Sequence, residues 1–199
     1  RPPLLARLRM KHGQCFTAVG VHLKSKRAKF LRGEDGEPLE DRDDPQVAPL
    51  ANLRSLRIRG AEAAAVRALL LPILQARDEP VILLGDCNDS PQSVTTQLMA
   101  ATSEVAYSRK AHATALFNAW DVQGEAALKR DVAYSHIHQG WPELLDQIFV
   151  SEEFLPQSTF SLGDVRRVDA FNDHLHAGHS RHTSDHGLVR AVIRVNTPD

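Results

Sequence analysis

The sequence predicts a mixed α/β domain, and three observations carry that prediction. "VILLG", 81 to 85, is a continuous apolar run, the pattern of a strand covered on both faces. "RGAEAAAVRALLLPILQAR", 59 to 77, sets Ala63, Val66, Leu69, Leu70, Ile73 and Leu74 at helical spacing. "GLVRAVIRV", 187 to 195, alternates apolar and polar residues as a half-buried strand does. Several strands and few helices in 199 residues fit one domain with room for a real core.

The other elements follow in order. "CFTAVGVHL", 15 to 23, reads as a strand ending at His22. Residues 24 to 53 read as one long loop, a length that is usually functional. Pro72 is expected to kink the following helix or to end its first section. Residues 91 to 101 suit a short helix with Ser90 as its cap and Pro91 in its first position. "LLDQIFVS", 144 to 151, reads as a strand, and "STFSLGDVRRVD", 158 to 169, as another, broken near Gly163. No repeat, heptad or low-complexity tract divides residues 1 to 199.

Composition excludes several classes. Hydrophobic residues make up 42% and charged residues 25%, close to the soluble globular average. No run reaches the ~18 apolar residues of a membrane helix, and no signal-type apolar segment opens the chain. The first residue is Arg1, not Met, so a processed product or a piece of a longer protein is expected, and localisation cannot be read. Cys15 and Cys87 are too few for a disulfide framework. The net charge of −1 gives no global basic field. Locally, residues 1 to 33 hold nine Lys or Arg and no acid, whereas "EDGEPLEDRDD", 34 to 44, holds seven acids. A solvated acidic loop is expected there.

Four strand ends deliver polar residues: "VHLKSK" (21–26), "GDCND" (85–89), "LDQIFVS" (145–151) and "SDHGLV" (184–189). Each alone is weak, since Gly, Asp and Asn are ordinary turn residues. Their order and spacing together resemble the endonuclease/exonuclease/phosphatase superfamily, which includes DNase I, abasic-site endonucleases, sphingomyelinases and inositol-phosphate phosphatases. The resemblance covers about residues 14 to 195. Cys87 stands where the family commonly has Phe, and Leu188 where Pro is common.

The resemblance implies a DNase I-like layered sandwich of two packed mixed β-sheets flanked by helices, with the N-terminal strands missing. It also implies a phosphoester hydrolase dependent on Mg²⁺ or Mn²⁺. Such chemistry needs an oriented water, charge neutralisation on the phosphoryl oxygens and help for a poor leaving group. By resemblance, Asp86 orients or deprotonates the water, and Asn88 fixes that water or a phosphate oxygen. His186 contacts the scissile phosphate and is oriented by Asp146, while His22 donates to a non-bridging oxygen or the leaving group. Asp185 is the expected metal ligand. Lys24, two residues beyond His22, would add positive charge on the same face if the strand continues.

The family's early Asn and its metal-binding Glu belong to strands before this chain begins. Glu34, Glu37 and Glu40 lie in the wrong place to replace them. The N-terminal half of the same domain is therefore expected in the parent protein, and the isolated chain is expected to hold metal weakly and to lack activity. Lys and Arg around the His22 strand favour a nuclease-like phosphodiesterase, with nucleic acid among the candidate substrates. A phospholipid or inositol-phosphate substrate is the alternative, as is a non-catalytic phosphate-binding fragment. The His-rich stretch from Asp173 to His186 reads as a polar loop rather than a transition-metal site. Trp120 and Trp141 are open between base stacking and packing.

Overall fold

The computed structural model describes residues 1–11, 13–101, 108–124, 132–176 and 183–196. The elements, in order, are β1 (Leu4–Arg9), β2 (Cys15–His22), α1 (Val47–Ala76), β3 (Val81–Asp86), α2 (Val94–Ala100), α3 (Arg109–His112), β4 (Phe117–Asn118) and α4 (Ala119–Val122). They continue with β5 (His136–His138), β6 (Trp141–Glu143), β7 (Asp146–Val150), β8 (Gly163–Phe171) and β9 (Leu188–Val195). The architecture is mixed α/β. A five-stranded mixed sheet runs β1-β2-β3-β7-β4, and β8 and β9 form a second, antiparallel layer. The hairpin β5–β6 pairs with neither.

Parallel pairing of β2 with β3 requires a crossover, and α1 supplies it. One helix stripe, Ala51, Ser55, Arg59, Ala63, Val66, Leu70 and Leu74, is buried. Its Ala63, Val66, Leu70 and Leu74 share a core with Val19, Val21, Val81, Leu83 and Phe149 of the sheet. The helix begins at Val47, earlier than the sequence suggests, so the loop ends before residue 53. Arg54 holds Glu40 of the acidic stretch through two bonds of 2.7 Å. Pro72 lies inside the helix and does not end it. A mid-helix proline costs about 3 kcal/mol. Burial of Leu70 and Leu74 returns about 1.5–3 kcal/mol each, so packing outweighs the lost backbone bond.

Two boundaries differ from the sequence pattern. α2 starts at Val94 with Ser93, not Ser90, as its cap, because Ser93 N–H donates back to Ser90 O and closes a turn around Pro91. β8 starts at Gly163 and carries a bulge between Val165 and Arg167. The second layer packs Val165, Val168, Val189 and Ala191 over Ile82, Ile148 and Val150. That cover is partial: Leu84, on the same face, remains 40% exposed.

Candidate functional site

Strand register builds the site. His22 pairs with Asp86 across β2–β3, and Asp86 pairs with Asp146 across β3–β7. Directly registered residues share a sheet face, so three polar side chains stand in one row at adjacent strand ends. Gly85 permits this approach. Its φ of +138° suits glycine alone, and a Cβ there would lie 2.0 Å from Val21 O. The apolar run of β3 thus anchors a rigid strand whose last residue, Asp86, opens onto the polar row.

The contacts then run continuously. His22 Nε2 lies 3.5 Å from Asp86 Oδ2. Asn88 donates its backbone N–H to Asp86 Oδ1 at 2.8 Å and its side-chain amide to Asp86 Oδ2 at 2.7 Å. The same amide donates to Leu23 O at 2.9 Å. Asn88 adopts φ 51°, a left-handed conformation that Asn tolerates. His186 Nδ1 meets Asp146 Oδ2 at 2.7 Å. Five of the expected residues, His22, Asp86, Asn88, Asp146 and His186, therefore form one connected cluster.

The electrostatics follow from that packing. Burial pushes the Asp86 carboxyl above its ordinary range; the Asn88 N–H opposes this and the nearby Asp146 reinforces it. The hydrogen bond to Asp146 holds the His186 imidazole above its ordinary value, against the effect of burial. Burial pushes the Cys87 thiol far up, so it stays protonated and is no nucleophile.

Two expected residues sit differently. β2 ends at His22, so Lys24 does not continue the strand face. Its ammonium instead donates to Ser25 O, Ser25 Oγ and Arg27 O at 3.0 to 3.1 Å. Asp185 groups with His136 and His186, while Asp86 and Asp146 form a second set of donors with His186. Asn88 spends both amide hydrogens on Asp86 and Leu23, which makes it a positioning residue for Asp86.

Sequence patterns did not reveal three supporting groups. Ser135 Oγ accepts from the N–H of Leu145 and of Asp146 at 3.1 and 2.9 Å, and Ser135 O accepts from Gly187 N–H at 2.7 Å. It joins the Asp146 strand to the His186 turn. Buried Arg59 donates to Asp89 Oδ2 at 3.1 Å and to Lys24 O at 3.2 Å, tying α1 to both site loops. The His136 ring lies 4.9 Å from that of His186, centre to centre. In the His-rich stretch, His174 Nε2 donates to His186 O at 3.1 Å, and His176 Nε2 meets Tyr134 Oη at 2.8 Å. His179 and His182 lie outside the described residues. Trp120 is core, whereas Trp141 is 76% exposed on the β5–β6 hairpin.

The model of the Endonuclease/Exonuclease/phosphatase family matches residues 8–186. The chain belongs to this family. No curated protein matches it in sequence. Among solved structures it is similar to the human Nocturnin catalytic domain with bound sulfate, at 19% identity and a TM-score of 0.54, covering 98% of this chain and 53% of that one. It is also similar to a family protein from Bacteroides thetaiotaomicron, at 14% identity and a TM-score of 0.52, covering 95% and 54%. A third is a 3′ phosphatase from Neisseria bound to product DNA hairpin, at 14% identity and a TM-score of 0.51, covering 96% and 64%. These likenesses establish the DNase I-like fold. The chain spans roughly half to two-thirds of those relatives' length. Members of the family are hydrolases acting on phosphoesters.

Proposed function

We propose that the Asp86–Asp146–His186 cluster is the reacting centre of a metal-dependent phosphodiesterase, nuclease-like in its substrate class. The observation that supports it most is the meeting of two unlike functions at one site: a half-buried carboxyl at Asp86 and the His186 imidazole, whose basicity Asp146 raises. In this reading Asp86, held by Asn88, accepts a proton from the attacking water. His186, protonated and oriented by Asp146, faces a phosphoryl oxygen. His22, more than half exposed at the rim, contacts the substrate from the other side of Asp86. Exposed Trp141 supports a nucleotide-containing substrate, because an aromatic face accepts any base by stacking.

The donor set fits a hard divalent ion such as Mg²⁺ or Mn²⁺. Asp86 and Asp146 stand side by side, and among the described residues their charged partners are only His22 and His186, with no Lys or Arg. Neighbouring carboxylates with no Lys or Arg beside them favour a cation. Asp86 and, from the turn before β9, Asp185 are the groups that would hold it, while Asp146 orients His186. Once bound, such an ion supplies positive charge to the phosphoryl oxygens. One or two carboxylates retain such an ion weakly, so the remaining ligands are proposed to come from preceding residues of the parent protein.

The test is hydrolysis of DNA, RNA, bis-p-nitrophenyl phosphate and phospholipid by the parent protein with Mg²⁺ or Mn²⁺. Cleavage of DNA, RNA or the small diester, lost in Asp86→Ala and His186→Ala, is expected. Cleavage confined to phospholipid would replace the nuclease reading with the lipid one. Activity untouched by both substitutions would overturn the site.

A further inference from the structure

We infer that His136, Asp185 and His186 form a second metal site, suited to a borderline transition ion such as Zn²⁺ rather than to Mg²⁺. One donor atom from each of the three lies within 4.8 Å of the others. The set shares Asp185 with the magnesium donors but differs from them in chemistry, for it joins two imidazoles to that one carboxylate. Imidazole nitrogen favours Zn²⁺, whereas Mg²⁺ prefers oxygen donors and retains its water.

Three independent features support the assignment. Asp146 engages His186 Nδ1 at 2.7 Å, which leaves Nε2 as the nitrogen free to ligate. A carboxylate behind an imidazole is the usual support of a metal-bound histidine, fixing its tautomer and raising its basicity. Among the described residues His136 Nδ1 is buried without a hydrogen-bond partner, so none of them claims the electron pair at that atom. Asp185 is exposed on the turn before β9, where solvent leaves its carboxylate room to close on an ion. Tetrahedral Zn²⁺ keeps its donors roughly 3.3–3.6 Å apart, so atoms already within 4.8 Å of one another need at most a small closure to reach it. His174 and His176 already spend Nε2 on His186 O and Tyr134, and His138, stacked 6.3 Å from His136, falls outside the set.

Occupation by Zn²⁺ consumes His186 Nε2 and so excludes a phosphoryl oxygen from it. That consequence rests on the role proposed for His186, but the binding itself does not. A metal titration therefore tests the site even where no hydrolysis is seen.

The experiment is calorimetric titration of the 199-residue chain with Zn²⁺ in millimolar Mg²⁺, with X-ray absorption on the loaded protein. One Zn²⁺ per chain and two imidazoles in the absorption spectrum are expected. Asp146→Asn should weaken binding by about 10–100-fold. His136→Asn should abolish stoichiometric binding, and His138→Asn should leave it unchanged. Unaltered affinity in His136→Asn overturns the site. So does a spectrum showing sulfur, fewer than two imidazoles or more than two, a readout on the unmutated chain that no folding defect can confuse.

Discussion

His186 Nδ1 lies 2.7 Å from Asp146 Oδ2, and the bond joins the two layers of the domain. Asp146 opens β7 of the five-stranded sheet, while His186 precedes β9 of the second layer. A residue that acts only by orienting another has no separate effect once its partner is gone. In the catalytically competent protein, Asp146→Asn and His186→Ala should each lower kcat by about 10²–10⁴-fold. The double variant should be scarcely worse than His186→Ala alone. Values of kcat/KM for the two single variants and the double one decide the matter, since multiplicative losses would dissolve the pair.

The same bond sets a pH profile. Asp86 must lose its proton to act as a base, and its carboxyl lies above the ordinary range because of burial, with Asp146 adding to the rise. Activity should therefore climb with pH through that raised value. His186 must keep its proton, and Asp146 holds its imidazole above the ordinary value. Activity should fall as pH rises through it. Asp146→Asn removes a negative charge that raises both groups, so both limbs of the bell should move to lower pH. Limbs that stay in place in the variant's kcat/KM profile would remove Asp146 as the common cause.

Gly85 offers a test of the scaffold alone. A Cβ at that position meets the Val21 carbonyl at 2.0 Å, and φ is +138°. Flexible side chains can yield to such a contact, but a backbone paired in a parallel ladder cannot. Strained backbone of this kind costs about 1–3 kcal/mol before any clash. Gly85→Ala should therefore lower the urea midpoint by more than Gly124→Ala, where a Cβ meets nothing within 4 Å among the described residues. Equal midpoints would show that β2 and β3 separate easily.

The legible part of this molecule was what short motifs and periodicity encode. "VILLGD" stood out because five residues without a polar break admit few placements, and the polar ends of β2, β3, β7 and β9 stood out by order. Register then turned that order into a row, with His22, Asp86 and Asp146 as direct partners. Lys24 was expected to share the row because alternate residues share a face only while a strand lasts, and β2 stops at His22. His136 and Ser135 were illegible for a different reason. β5 and β6 have three residues each, too short for any period, and both residues matter through contacts forty or more positions away or across a hairpin. β1 is not legible in the sequence because its Leu4, Leu5 and Leu8 are exposed at a sheet edge and follow no clear alternation.

That edge carries the last prediction. Leu4 pairs with Gly20, Gly20 with Leu84 and Leu84 with Ile148, so the four share one face, a single step below the row of His22, Asp86 and Asp146. At one end of it Ile148 is covered by the second layer. At the other, Leu4 is 72% exposed and Leu84 40%, and Leu8 on the same face is 45% exposed. β9 packs against β7 and pairs only with β8 among the described residues, so its other edge is open beside this face. A naked apolar face beside an open edge invites further strands, and preceding residues of the parent protein are the proposed source. In their absence a second copy of the chain is the nearest apolar surface. The isolated chain should therefore self-associate and bind a hydrophobic dye, and Leu4→Ser, Leu8→Ser and Leu84→Thr together should reduce both. Because all three side chains are already exposed, the substitutions should leave the thermal midpoint within a few degrees, as single surface changes usually contribute under about 0.5 kcal/mol each. Sedimentation velocity reads the association directly. A chain that is monomeric at high concentration and silent to the dye would show that the face needs no cover.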